Sequence, residues 1–208
     1  MKISKHLHSC LLIEEENKTF LIDPGVFTYQ EKALNFNSLS SLDYILITHE
    51  HSDHAYIPLI KEIIAKFPTV EIITNPSAAT LLKQEDITAL TAGNGYIQLE
   101  DVSHEKLWDI TPPQNVLFKL FNELTHPGDS HHFNQTTDVL ALPITAPWGS
   151  TTDAVNLALK LKPKIIIPIH DWMWKDVIRQ EVYVRLQTYF AKEGIDFKPL
   201  ETGEIVEV

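Results

Sequence analysis

The chain reads as an α/β protein whose sheets are covered by helices. Three observations predict this. Short apolar runs alternate with amphipathic stretches along the 208 residues, which is the sequence form of layered strands and helices. Ile60, Ile63, Ile64 and Phe67 recur at the spacing of one helix face. The hydrophobic share of 44% and charged share of 22% are those of an ordinary globular protein, which excludes disordered and fibrous chains.

In chain order, His6 and His8 fall on a first strand, and residues 10–15 and 19–23 read as a hairpin about Glu16-Asn17. Residues 43–48, Asp-Tyr-Ile-Leu-Ile-Thr, form a buried strand. The helix over 57–67 is ended by Pro68, and a strand at 70–74 precedes a helix that Pro76 opens and that runs to about Gln84. Between Gly93 and Leu142 the pattern turns to strands, at 96–99, 116–121 and 138–142. Ser150 caps a helix over 151–162. Residues 164–169 are strongly strand-like, 175–192 form the longest helix, stopped by Gly194, and short strands at 196–200 and 204–208 finish the chain. No linker, repeat or low-complexity tract divides 1–208, so one domain is expected, burying roughly 70% of its unfolded surface.

Charge and composition narrow the function classes. With 17 basic and 28 acidic residues the net charge is −11. Such a chain repels the phosphate backbone, and no Lys/Arg stripe offsets this, so no nucleic-acid partner is expected. No apolar run reaches the ~18–20 residues that cross a bilayer. The N-terminus runs at once into Glu14-Glu15-Glu16 without an apolar leader segment, and the single Cys10 fits a reducing compartment. A cytoplasmic protein is expected, with Cys10 in the core.

Ten histidines, several in clusters, point to metal chemistry. Directly after the buried strand stands Thr48-His49-Glu50-His51-Ser52-Asp53-His54, an H-x-H-x-D-H loop. In an extended loop His49 and His51 face the same way, while Asp53 and His54 lie at the turn into the next helix. Two nitrogens for one cation, and an oxygen and a nitrogen for a neighbour, begin a two-metal site. A loop that merely caps the helix would use Ser52 or Asp53 and give no reason for three histidines. The zinc motif H-E-x-x-H fails, because Asp53 stands where its second histidine belongs.

This loop resembles the signature of the metallo-β-lactamase superfamily of metal-dependent hydrolases. Three further segments match in order: Phe20-Leu21-Ile22-Asp23-Pro24-Gly25, His126-Pro127-Gly128-Asp129-Ser130 and Ile167-Pro168-Ile169-His170. The phrasing is most similar to the branch of ascorbate-6-phosphate lactonase-like proteins. The resemblance implies a four-layer αβ/βα sandwich with the site at one edge of the sheets. It implies that His49, His51 and a third histidine hold one metal, that Asp53, His54 and His170 hold a second, and that Asp129 bridges them. His104, 25 residues before Asp129, is favoured as the third histidine over His126. His131 and His132 line the pocket or belong to a polar loop; His8 is a satisfied structural histidine or a donor buttressing the site. Trp148, Trp172 and Trp174 are candidate pocket walls as well as candidate core.

Two divalent cations, Zn²⁺ first, with Mn²⁺ or Fe²⁺ as alternatives, would supply a bound hydroxide. Asp53 would orient or accept the proton of that nucleophile. The expected reaction is hydrolysis of a small-molecule ester, lactone, thioester or phosphoester. A mononuclear iron oxygenase acting on a sulfur compound and a non-catalytic metal-binding domain are the alternatives, separated by metal stoichiometry. A secreted β-lactamase, an RNA-processing enzyme and a flavin-coupled reductase each need a segment or a surface that this reading does not find.

Overall fold

The computed structural model, which describes residues 1–208, orders twelve strands and five α-helices. The first half holds β1 (Lys2–Lys5), β2 (Leu11–Glu15), β3 (Lys18–Ile22), α1 (Val26–Gln30), β4 (Tyr44–Ile47), α2 (Ile57–Lys66), β5 (Glu71–Thr74) and α3 (Pro76–Gln84). The second holds β6 (Ile97–Asp101), β7 (Val116–Leu120), β8 (Leu124–His126), β9 (Val139–Pro143), α4 (Thr151–Leu161), β10 (Ile165–Ile169), α5 (Asp176–Lys192), β11 (Asp196–Phe197) and β12 (Ile205–Glu207). They form two six-stranded sheets, ordered β12-β1-β2-β3-β4-β5 and β11-β10-β9-β8-β7-β6.

Why the sheets stack can be read from alternation along the central strands. Phe20, Ile22, Tyr44 and Leu46 of the first sheet meet Phe118, Val139, Ala141, Ile167 and Ile169 of the second in one buried cluster. The residues between them point the other way. Leu21, Ile45 and Ile47 pack under Leu59, Ile60 and Ile63 of α2 and Ala78 and Leu82 of α3. Leu140, Leu142 and Ile166 pack under Ala154 and Ala158 of α4 and Tyr183, Leu186 and Phe190 of α5. Strands apolar on both faces must be covered twice, and the result is the four-layer αβ/βα sandwich.

Local chemistry sets the element ends. The β2–β3 hairpin turns on Glu16 and Asn17, both at positive φ, the twist-matched two-residue connection. Ser150 and Asp153 form a reciprocal capping box at the start of α4. The structure departs from the sequence reading in three places. His6 and His8 lie beyond β1, in a turn closed by the Cys10 N–H on the Leu7 carbonyl at 2.9 Å; Leu7 and His8 sit at φ of 70° and 51°, which ends the strand. α1 and β8, at five and three residues, are too short to show a period. The strand expected over 196–200 stops at Phe197, two residues before Pro199, which has no N–H for a ladder.

A buried ion pair ties the sheets together. Lys5 Nζ donates to Asp171 Oδ1 at 2.7 Å and to the Pro168 carbonyl at 2.9 Å, and Tyr183 Oη donates to Asp171 Oδ2 at 2.5 Å. Burial pushes the Lys5 ammonium down despite Asp171. Burial would raise the Asp171 carboxyl, but Lys5 outweighs it and holds it low. Asp171 therefore contributes stability above the ordinary carboxylate range and loses it as pH falls through its depressed folded value. Removing one partner strands a buried charge, so Asp171→Asn is expected to cost about 3–5 kcal/mol in urea unfolding measured with chelator present. A cost under ~1 kcal/mol would show the pair to be dispensable.

Candidate metal centre

The strand directions collect the chemistry at one edge. β1 and β3 are both antiparallel to β2, and β3 and β4 are parallel, so all three end on the same side. In the other sheet β6 and β8 are both antiparallel to β7, and β8, β9 and β10 are parallel. The ends of β1, β3 and β4 deliver His8, Asp23 and the 48–54 loop; those of β6, β8 and β10 deliver His104, Asp129 and His170. Two backbone bonds join the edges. The Val116 N–H donates to the Thr48 carbonyl, and the His170 N–H to the His8 carbonyl, each at 3.1 Å.

Two groups of ligand-type side chains result. His49, His51, His104 and Asp129 form one, and His8, Asp53, His54 and His170 the other; within each, the ligand atoms lie within 4.8 Å of one another. Asp129 stands between them. Its Oδ2 is 3.9 Å from His49 Nε2 and 3.6 Å from His104 Nε2, and its Oδ1 is 3.1 Å from His54 Nε2 and 3.2 Å from His170 Nε2. Both groups are buried except for the exposed His51 and the partly exposed Asp53.

Hydrogen bonds fix which ring nitrogen faces inward. His54 Nδ1 donates to Asp23 Oδ2 at 2.7 Å, His170 Nδ1 to the Thr145 carbonyl at 2.8 Å, and His104 Nδ1 to the Glu105 carbonyl at 2.6 Å. Thr48 Oγ1 spends its proton on Asp23 Oδ2 at 2.8 Å, so at 3.0 Å it accepts from His49 Nδ1. Each of these four rings therefore turns its Nε2 toward Asp129, the usual arrangement behind a metal-ligating histidine. Asp23, fully buried, also accepts the Thr48 N–H at 2.8 Å. Sequence reasoning noticed Asp23 only as the end of a strand; a buried carboxylate with its partners six or more positions apart in a loop leaves no pattern in the chain.

The donor set fits a cation. His54, His104 and His170 Nε2, both His8 ring nitrogens and Asp129 Oδ1 are buried without a hydrogen-bond partner. Buried polar atoms are nearly always paired, and here the unpaired ones converge. Burial pushes the His49 ring well below its ordinary value, reinforced by His54. Burial also opposes charge on His54 and His170, but Asp129 overrides it in both, with Asp23 aiding at His54. Both are raised, His54 strongly. Asp129 is held well below the carboxylate range, because His170 and His54 outweigh its burial.

All seven residues of the expected ligand set lie in the two groups. His126 does not: its Nε2 donates to the Ser9 carbonyl at 3.0 Å and its Nδ1 accepts the Gly128 N–H at 3.3 Å. His131 Nε2 donates to the Pro143 carbonyl at 2.9 Å, and its ring lies edge-on to Trp148; the exposed His132 pairs with Glu105 at 3.0 Å. Trp148 covers the centre, its indole N–H donating to Asp129 Oδ2 at 3.1 Å. Trp172 stacks on Phe27, beside His8, whereas Trp174 packs in the α4/α5 layer. His8, expected to be a satisfied structural histidine, is unsatisfied at both nitrogens. Cys10 is buried, its thiol pushed up to about 12 by that burial.

A family model described as "Beta-lactamase superfamily domain" matches residues 2–170. The chain belongs to this superfamily. It is 29% identical to a UPF0173 metal-dependent hydrolase of Nanoarchaeum equitans, over the whole of both chains. In fold it is similar to Igni18, a metallo hydrolase from the archaeon Ignicoccus hospitalis, with a TM-score of 0.69 and 20% identity over 99% of this chain and 97% of that one. It also superposes on CmlA, a diiron β-hydroxylase from Streptomyces venezuelae, with a TM-score of 0.67 and 14% identity over all of this chain and 54% of CmlA.

Two predictions follow from the hydrogen-bonded frame and its charges. Asp23→Asn replaces the acceptor of His54 Nδ1 and is expected to weaken metal binding about 10–100-fold, measured by competition with a chromophoric chelator; unchanged affinity would remove Asp23 from the site. Because Asp129 and Asp23 keep His54 protonated in the metal-free protein, a cation must displace a proton. Zinc titration calorimetry at pH 7 should show net proton release, seen as an enthalpy that varies with the ionisation enthalpy of the buffer. An enthalpy independent of buffer would contradict this protonation state.

Proposed function

We propose that the chain is a metal-dependent hydrolase that holds two divalent cations, zinc first among them, and cleaves a small-molecule ester, lactone, thioester or phosphoester. The observation that carries this reading is the convergence of unpartnered, buried nitrogens from both sheets on the single carboxylate Asp129. His49, His51 and His104 would hold one cation, Asp53, His54 and His170 the other, with Asp129 bridging. The family membership and the UPF0173 metal-dependent hydrolase relative support the reaction class.

A cation pair supplies Lewis-acid charge and acidifies a coordinated water. The chain's own residues do the rest. Asp53 stays ionised, since His8 and His54 outweigh its burial, so at neutral pH its partly exposed carboxylate is free to accept a hydrogen bond from the nucleophile and orient it. Trp148 fixes Asp129 through its indole N–H and excludes water from one side. On the open side His51 borders a cleft of ≈ 630 Å³ lined by Glu50, Ser77, Thr80, Thr111 and Gln114, large enough for a small polar substrate. The acidic balance of −11 supports neither nucleic acid nor an anionic membrane surface as partner.

Elemental mass spectrometry of gently purified protein should find about two zinc or manganese ions per chain, with turnover of lactone, thioester or phosphoester substrates lost on chelation and restored by metal. One iron per chain would replace the hydrolase with an oxygenase. His51→Ala and Asp129→Ala should each lose metal and turnover while keeping helix content. His104→Ala should lose metal where His126→Ala retains it; the reverse would exchange their roles.

A further inference from the structure

We infer that His8 is a further protein ligand of the second cation, bound through Nε2 together with Asp53, His54, His170 and the bridging Asp129. The inference rests on the paired-cation reading above and concerns a residue from the turn after β1, outside the H-x-H-x-D-H loop and the three segments that match it. His8 is 2% exposed, and neither ring nitrogen has a hydrogen-bond partner. A neutral imidazole buried in that state gives up its hydrogen bonds to water without replacing them, and the surroundings hold it there rather than let it turn away. Its backbone is left-handed, φ 51°, and its carbonyl is tied to the His170 N–H at 3.1 Å. Its ring centroid lies 3.9 Å from that of His170 and 5.5 Å from that of His54.

The distances suit a shared cation better than a simple hydrogen bond. His8 Nε2 is 3.2 Å from Asp53 Oδ2 without hydrogen-bond alignment, and Asp53 Oδ2 is 4.0 Å from His54 Nε2. Donors about 2.0–2.1 Å from a tetrahedral zinc are about 3.4 Å apart, so a group whose ligand atoms lie within 4.8 Å of one another needs only a small inward shift to close on a cation. Counting His8, each group offers three imidazoles and one carboxylate. The second cation then meets three imidazoles, as the first does, with Asp129 shared between them.

The test reads metal, not turnover. Crystals of the zinc-loaded protein, with data at the zinc edge, should place His8 Nε2 about 2.0–2.2 Å from the second zinc. A His8 Nε2 more than about 3 Å from either zinc, donating to Asp53, overturns the inference and makes His8 a positioning residue. In solution, chelator competition on His8→Ala and His8→Gln should weaken the second zinc equivalent at least about 10²-fold and leave the first unchanged, the retained first equivalent showing that the variants fold. Equal weakening of both equivalents, or of neither, also overturns it. If the native protein takes up fewer than two zinc ions, the paired-cation reading fails and this inference with it; two zinc ions bound without His8 sink this inference alone.

Discussion

The structure turns on one buried carboxylate. Asp129 is 3% exposed, and four imidazole nitrogens lie 3.1–3.9 Å from its oxygens. An ion taken that far from water loses several kcal/mol of solvation, which only opposite charge and directed donors restore. The neighbourhood is built to do so. Asn115 Oδ1 accepts the Asp129 N–H at 3.3 Å, the Glu105 N–H donates to its carbonyl at 2.8 Å, and Trp148 donates to its side chain. These contacts come from two connections of the second sheet, β6–β7 and β9–α4, while His49 and His54 come from the first. Neither sheet can shift against the other without exposing the charge, so the sandwich and the site are held by the same contacts.

Such close convergence needs backbone where side chains would ordinarily stand. At Gly128, φ is +60° and a Cβ would overlap Asn115 Oδ1 and crowd Thr48. The turn that presents Asp129 is thus pressed against the strand end that presents His49. At Gly25 a Cβ would overlap the Asp53 carbonyl, and the adjoining Val26 N–H donates to the Ser52 carbonyl at 2.8 Å. The Asp-Pro-Gly segment after β3 therefore braces the 48–54 loop from beneath. Glycine here provides approach more than flexibility, and a loop braced in this way keeps its ligand atoms in place before any cation arrives.

Much of this was legible in the chain. The long apolar runs at β3, β4, β9 and β10 marked doubly covered strands, and His49, His51, Asp53 and His54 announced the centre by their spacing alone. Asp129 and His170 needed the resemblance, because a lone acid in a turn and a lone histidine after a strand carry no internal pattern. Spacing favoured His104 over His126 as the third histidine, and the structure agrees: His104 Nε2 lies 3.6 Å from Asp129, whereas His126 is hydrogen-bonded at both nitrogens. Asp23 and His8 act through partners more than twenty positions distant, namely Thr48 and His54 for the first and Asp53 and His170 for the second. Tertiary assembly alone creates those pairings, and a sequence read for local period does not contain them.

Exposure is distributed unevenly over the centre, and this decides how molecules reach it. His54, His104, His170 and Asp129 are all buried, with Trp148 closing over Asp129, whereas His51 is exposed and Asp53 partly so. Access therefore runs along the 48–54 loop, past the polar cleft that Glu50 and Ser77 share through their 2.7 Å hydrogen bond. The walls of that cleft are supplied by the start of α3 and by residues 111–114. Loops of this kind vary without disturbing the frame beneath them. On the proposed reading, the ligand constellation stays fixed by the sandwich while the surface loops beside His51 are free to vary.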